Sequence, residues 1–263
     1  MATRQVVVGV DGSLPAVRAL DRASEQAELR GAALTIVYAV SDADIAGPVL
    51  TSSASRVRER HPGLTFRALA VVDSPVRALA RHGRDAELTV VGSRGLGGIA
   101  GLIAGSVSRR LASRTHSPLL VVRGGYTAPE GEVLLWPSGD TSVDAAAFAF
   151  SEAERRESPL HVLPARATPY TITRRRAPAP DDGTLGPSGG RRPDTLLGDT
   201  GVAECHLGPA RPTGHALLDS TFGAALVVVG VPRRPHRPGG GAGRALLLRS
   251  HCPVVIVPED GTS

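Results

Sequence analysis

The residues most able to do chemistry lie in one glycine-rich stretch. Gly92-Ser93-Arg94-Gly95 is followed, after nine further residues, by Gly105-Ser106. Glycines let backbone N–H groups close in on an anion, also at positive φ. A helix opening at Ser106 adds the free N–H donors of its first turn and the positive end of its dipole. The Ser106 hydroxyl supplies another donor. Such a cradle holds phosphate without a lysine. An acid, Asp11, stands at the end of the apolar run 4–10, where it can face the cradle across a cleft. Asp11 has a plainer reading too, as a turn or helix-cap residue, and both readings stay open at this point. Gly95-Leu96-Gly97 is not a dinucleotide fingerprint, because that belongs in the first strand-to-helix turn and this follows the fourth strand.

Several other chemistries are excluded by composition. The net charge is +5, and all thirty basic residues are arginine. Without lysine there is no GxxxxGK[ST] phosphate loop, no kinase β3 lysine and no Schiff-base catalysis. The eight histidines (61, 82, 116, 161, 206, 215, 236 and 251) show no metal-ligand spacing and read as surface residues. Cys205 and Cys252 form no CxxC and no disulfide framework, which points to a reducing, cytoplasmic setting. No GxSxG elbow, Ser-His-Asp order or acid–base carboxylate pair stands out. No catalytic residues are assigned.

The elements that must position the loop follow from periodicity. Residues 4–10, 33–40, 64–72, 88–91 and 119–123 are short apolar runs bounded by turns, hence buried strands. Ser13 can cap a helix in which Leu14, Val17, Leu20, Ala23 and Ala27 form an apolar face, ended by Gly31. Residues 48–60 read as a weaker helix, Asp73-Ser74-Pro75 as a strong helix start, and a fourth helix begins near Ser106. Aromatics are only 3%, so aliphatic side chains must fill the interior. Strand–helix alternation of this kind gives a doubly wound parallel sheet covered on both faces. Its ligands bind beyond the carboxyl ends of the strands, where the strand order reverses.

The pattern then repeats. Gly92 and Gly230 stand 138 residues apart, as do Gly105 and Gly243, and Ser117-Pro118 is echoed by Cys252-Pro253. The reading is an α/β chain of two tandem, five-stranded, Rossmann-like domains, 1–125 and 131–260, joined at 124–131. The second half is degenerate. Ser138 stands where Asp11 stood, Arg233 replaces Gly95, and Arg244 replaces Ser106. Prolines 232, 235 and 238 remove N–H donors. An alternative is that Arg233, Arg234 and Arg237 hold an anion through their guanidinium groups. Residues 165–198, dense in Pro, Gly and Arg, read as an exposed loop.

With these residues in view, the spacing G-2x-G-9x-G-[ST], the opening VVGVDGS and the closing SPLLVVR resemble the ATP-binding members of the universal stress protein family. The likeness covers 4–123 closely and 132–258 loosely. It implies that Val10 and Asp11 meet the ribose and adenine, that the Ala39 backbone lies against adenine, and that Val91 borders the site. It implies further that Gly92, Arg94, Gly95, Gly105, Ser106, Val107 and Ser108 surround the phosphates. The implied ligand is ATP, or AMP or ADP, and the implied role is a stress-response sensor or regulator. The resemblance also implies that the fifth strands, Leu119–Arg123 and Val254–Val257, meet within one chain as an internal pseudo-dimer; pairing of two chains is open.

Two other classes stand beside this. One is slow ATP hydrolysis, with magnesium bridging the phosphates; the absence of a lysine, a general base and a loop carboxylate argues against rapid turnover. The other is binding of nucleic acid or an acidic partner by the arginines at 174–176, 191–192 and 233–237. These lack interleaved aromatics for stacking, so nucleic acid is not the expected partner. No run of eighteen apolar residues offers a membrane span.

Overall fold

Short valine- and leucine-rich runs, each too brief for a stable helix, alternate with alanine-rich amphipathic segments, and the chain folds as a sheet flanked by helices. The computed structural model describes residues 4–93, 106–123, 131–137, 143–163, 170–172, 205–207, 218–232, 246 and 249–259. The first half comprises β1 (Gln5–Gly9), α1 (Leu14–Arg30), β2 (Ala33–Val40), a 3-10 turn (Ala43–Ile45), α2 (Gly47–Arg60), β3 (Phe66–Val72), α3 (Pro75–His82), β4 (Leu88–Gly92), α4 (Ser106–Ala112) and β5 (Leu119–Val122). The second half adds β6 (Val133–Trp136), α5 (Val143–Arg155), β7 (Leu160–Val162), β8 (Tyr170–Ile172), β9 (Cys205–Leu207), β10 (Leu226–Pro232) and β11 (Val254–Glu259).

Strands β1 to β5 are all parallel, in the order β3-β2-β1-β4-β5. The order reverses between β1 and β4, as in doubly wound sheets. In the second half β11-β10-β6-β7 are parallel and mirror β5-β4-β1-β2. The place of a fifth parallel strand is taken by β8, antiparallel to β7, with β9 antiparallel beyond it. This corrects the reading of 165–198 as loop throughout. Tyr170-Thr171-Ile172 is a local run of strand formers, and it satisfies the backbone groups along the open edge of β7.

The two halves share one sheet. β11 pairs antiparallel with β5, Val254 opposite Val121, Val255 opposite Leu120 and Ile256 opposite Leu119. One apolar layer runs across both halves, from Val6, Val8 and Ile36 through Leu120 to Leu135, Val228 and Val257. On the opposite face Val7, Val37, Leu79, Val91 and Leu111 pack with Ile256.

Helix α1 shows how local sequence sets these elements. Ser13 Oγ accepts from Ala16 N at 3.3 Å as N-cap, and Gly31, at φ 58°, closes the helix in the left-handed conformation glycine favours. The buried face is Ala16, Ala19, Leu20, Ala23 and Ala27, whereas Leu14 is 63% exposed. Leu14 is the first helical residue, and it lies ahead of the turn that meets the sheet. The apolar face expected to start there begins two residues later.

Where α1 meets α5, a buried polar cluster joins the halves. Arg30 Nη2 donates to Glu152 Oε2 at 2.6 Å, Arg156 Nε to Glu152 Oε1 at 2.7 Å, and Gln26 Nε2 to Glu152 Oε1 at 3.0 Å. Glu152 is fully buried. Arg30 also donates to Gln26 Oε1, and its guanidinium lies 5.7 Å from the centre of the Phe148 ring. Arg22 Nη2 reaches the Ala225 carbonyl at 3.4 Å. Burial pushes the Glu152 carboxyl upward, but the charges of Arg30 and Arg156 and the hydrogen bonds from Arg156 and Gln26 outweigh it, leaving its pKa below the ordinary value.

Candidate functional site

The reversal of strand order opens a crevice beyond the carboxyl ends of β1 and β4, and several expected site residues gather there. Val10 follows β1, is buried, and donates its N–H to the Val37 carbonyl at 3.0 Å. Asp11 comes next. Its Oδ1 accepts from Ser13 N at 3.0 Å and from Ser13 Oγ at 2.5 Å. Since Ser13 Oγ in turn caps α1, Asp11 buttresses the start of that helix. Gly12 between them has φ 80°, where an L side chain is strained. Asp11-Gly12-Ser13 is thus a tight turn, and it fixes one oxygen of the carboxylate at the crevice.

Ala39 lies near the end of β2, opposite Val71 of β3 and partly buried. Val91 is buried near the end of β4, and Gly92 ends that strand. A Cβ on Gly92 would meet the Pro15 carbonyl oxygen at 2.7 Å. The glycine is therefore needed for the close packing of β4 against the first turn of α1, independently of any ligand. Ser93 continues the line by donating its N–H to the Val122 carbonyl at 2.9 Å.

Arg94, Gly95 and Gly105 lie outside the described residues. The chain is described again from Ser106, which begins α4 as expected. Val107 is partly buried against Val91 and its neighbours, and Ser108 is buried. The structure thus brings together the ends of β1, β2 and β4, with the start of α4 on the return from the loop.

Among the described residues no cluster of His, Cys, Asp or Glu could hold a metal ion, and no helix is long and apolar enough to cross a membrane. The histidines are not uniformly solvated. His61 is half-buried, and its Nδ1 lies 2.8 Å from Glu28 Oε2. Burial pushes the Cys252 thiol up to about 11, which leaves it protonated and unreactive at neutral pH. Ser138, the arginine runs at 174–176 and 191–192, and residues 233–237 lie outside the described residues.

Comparison with known proteins fits this geometry. A sequence model of the Universal stress protein family matches residues 2–123. A universal stress protein of Mycobacterium tuberculosis is 35% identical over 136 residues, 46% of this chain and 46% of that protein. One of Mycobacterium bovis is 34% identical over 132 residues, 45% of each chain. The matched region thus spans less than half the length of these curated relatives. A solved universal stress protein in complex with cAMP is 32% identical and covers 48% of this chain and all of its own, at a TM-score of 0.39. Across 98% of this chain, and 94% of its own length, a putative universal stress protein of Pseudomonas aeruginosa shares the fold at a TM-score of 0.64 with 16% identity. Residues 2–123 of the chain thus belong, by their sequence, to the universal stress protein family.

Proposed function

We propose that the first half binds an adenine nucleotide, ATP foremost, and that the chain acts as a sensor or regulator in a stress response. The observation that carries the reading is the meeting of Asp11, Ala39 and Gly92 at the point where the strand order reverses, in a segment belonging to this family. In this reading Val10, Asp11, Ala39 and Val91 receive the nucleoside. The backbone from Gly92 through Arg94 and Gly95 to Gly105, Ser106, Val107 and Ser108 receives the phosphates. A magnesium ion would neutralise part of the phosphate charge.

The domain division at 1–125 and 131–260 belongs to the same proposal, as does the degenerate state of the second half. So does the view of the β5–β11 pairing as an internal counterpart of subunit pairing. A cytoplasmic location follows from the same role.

The test is mass spectrometry of ligand released from the purified chain, with thermal shift on ATP, AMP and cAMP. Nucleotide at a hundred times its Kd should add about 2.7 kcal/mol of stability. Asp11→Ala should reduce that gain. A chain that carries no nucleotide and shifts with none of the three refutes the proposal.

A further inference from the structure

A second region of concentrated charge lies on the face of the sheet covered by α3 and α4. Asp73, Arg77, Ala80, Arg81 and Arg84 recur at three- and four-residue steps, so they share one side of α3 and of the residues that flank it. Arg114 and His116, in the segment after α4, form the opposite wall. Together these residues line a cleft of about 300 Å³. Four guanidinium groups face a single carboxylate. Asp73 is divided between Arg77 Nε at 3.4 Å and Arg81 Nη1 at 3.5 Å. Among the described residues no carboxylate lies within ion-pair distance of Arg84 or Arg114.

We infer that this cleft is a binding site for a compact, multiply charged phosphate compound. Guanidinium forks match pairs of phosphate oxygens. The volume sits at the small end of ligand sites, which fits a condensed phosphate better than a folded partner. The lining carries no Phe, Tyr or Trp, and His116 is its one aromatic ring, so charge rather than base stacking dominates the choice of occupant. Neighbouring like charges disfavour one another, and a bound polyanion relieves that repulsion. The local field registers on the same helix. Burial first, then the charges of Arg81 and Arg67, push the His82 imidazole below its usual pKa. Neither Asp11 nor Gly92 lines the cleft, and the inference does not rest on nucleotide binding there.

Tripolyphosphate titrated into the full chain by calorimetry at near-physiological salt is the direct test, with monophosphate as comparison. Arg84→Ala/Arg114→Ala should weaken tripolyphosphate binding at least tenfold and leave any adenine-nucleotide thermal shift unchanged. Asp11→Ala should leave tripolyphosphate affinity unchanged. Arg109→Ala/Arg110→Ala removes two exposed charges of α4 that do not line the cleft, and it should bind as the parent does. The four arginine side chains are exposed and Asp11 is partly buried, and circular dichroism checks that each variant folds. The assignment is overturned if the parent shows no binding at millimolar tripolyphosphate or if Arg84→Ala/Arg114→Ala binds as tightly as the parent. An equal loss in Arg109→Ala/Arg110→Ala, meaning general electrostatics, also overturns it, as does a preference for duplex DNA over tripolyphosphate.

Discussion

The turn Asp11-Gly12-Ser13 ties together a strand end, a helix cap and the candidate site. At Gly12 an alanine must adopt φ 80°, which costs roughly 1–2 kcal/mol. Gly12→Ala should lower the urea midpoint accordingly. At Gly92 the obstacle is the Pro15 backbone carbonyl rather than a flexible side chain. Gly92→Ala should therefore cost about 1–3 kcal/mol, by forcing β4 and α1 apart, even with no nucleotide present. A Gly92→Ala chain as stable as the parent would show that α1 yields there. Cys252 offers a chemical readout. In a Cys205→Ser background, alkylation at pH 8 should be slow in the folded chain and rapid in urea, because the buried thiol titrates near 11.

Residues of this kind were largely legible in the sequence, since caps and turns are written locally. Ser13 and Gly31 were read as helix ends and are so. Gly92 was read as a phosphate contact. Its packing against Pro15 was invisible, because that depends on how closely α1 approaches β4.

At the scale of elements, the cluster between α1 and α5 was missed. Arg22, Gln26 and Arg30 recur every four residues on α1, and Glu152 near the end of α5 is followed at the same step by Arg156 in the turn after it. Helix-spaced charges usually mark a solvated face, and only the sheet order brings these two faces together. The spacing was a signal, but one without an address. Glu152 is the buried carboxylate shared by Arg30 and Arg156. Glu152→Gln leaves both cations uncompensated and should cost about 3–5 kcal/mol.

The pH dependence follows from the direction of its shift. The folded pKa lies below the ordinary 4.5, so the stabilisation is present above that value and fades as pH falls through the folded pKa. Urea midpoints measured between pH 7 and 3 should fall more steeply for the parent than for Glu152→Gln, and parallel curves would refute this. The strand β8 was missed for the opposite reason. Its three residues are good strand formers inside a segment whose overall composition argues for a loop, so the window average hid them.

At the scale of the molecule, the eleven strands among the described residues form a single sheet. Periodicity located β5 and β11 separately, but nothing in either run says that they are neighbours; that expectation came through the family resemblance. Leu120 is 1% exposed and Val255 equally so, and they face one another across the join. An aspartate at Leu120 buries an unpaired charge where both halves depend on the packing, so calorimetry on Leu120→Asp should show both halves destabilised together. Two well-separated transitions in the parent chain would contradict a shared cooperative unit.

The central position of that join has a practical corollary. The polypeptide link between Arg123 and Gly131 is one covalent thread, whereas the strand ladder, the common apolar layer and the Arg30–Glu152 pair all cross between the same two bodies. A chain severed at an engineered protease site in that link should migrate as one species on native gels and fall into two only in denaturant. Fragments ending at 123 and starting at 131, expressed apart and mixed, should find each other and reassemble.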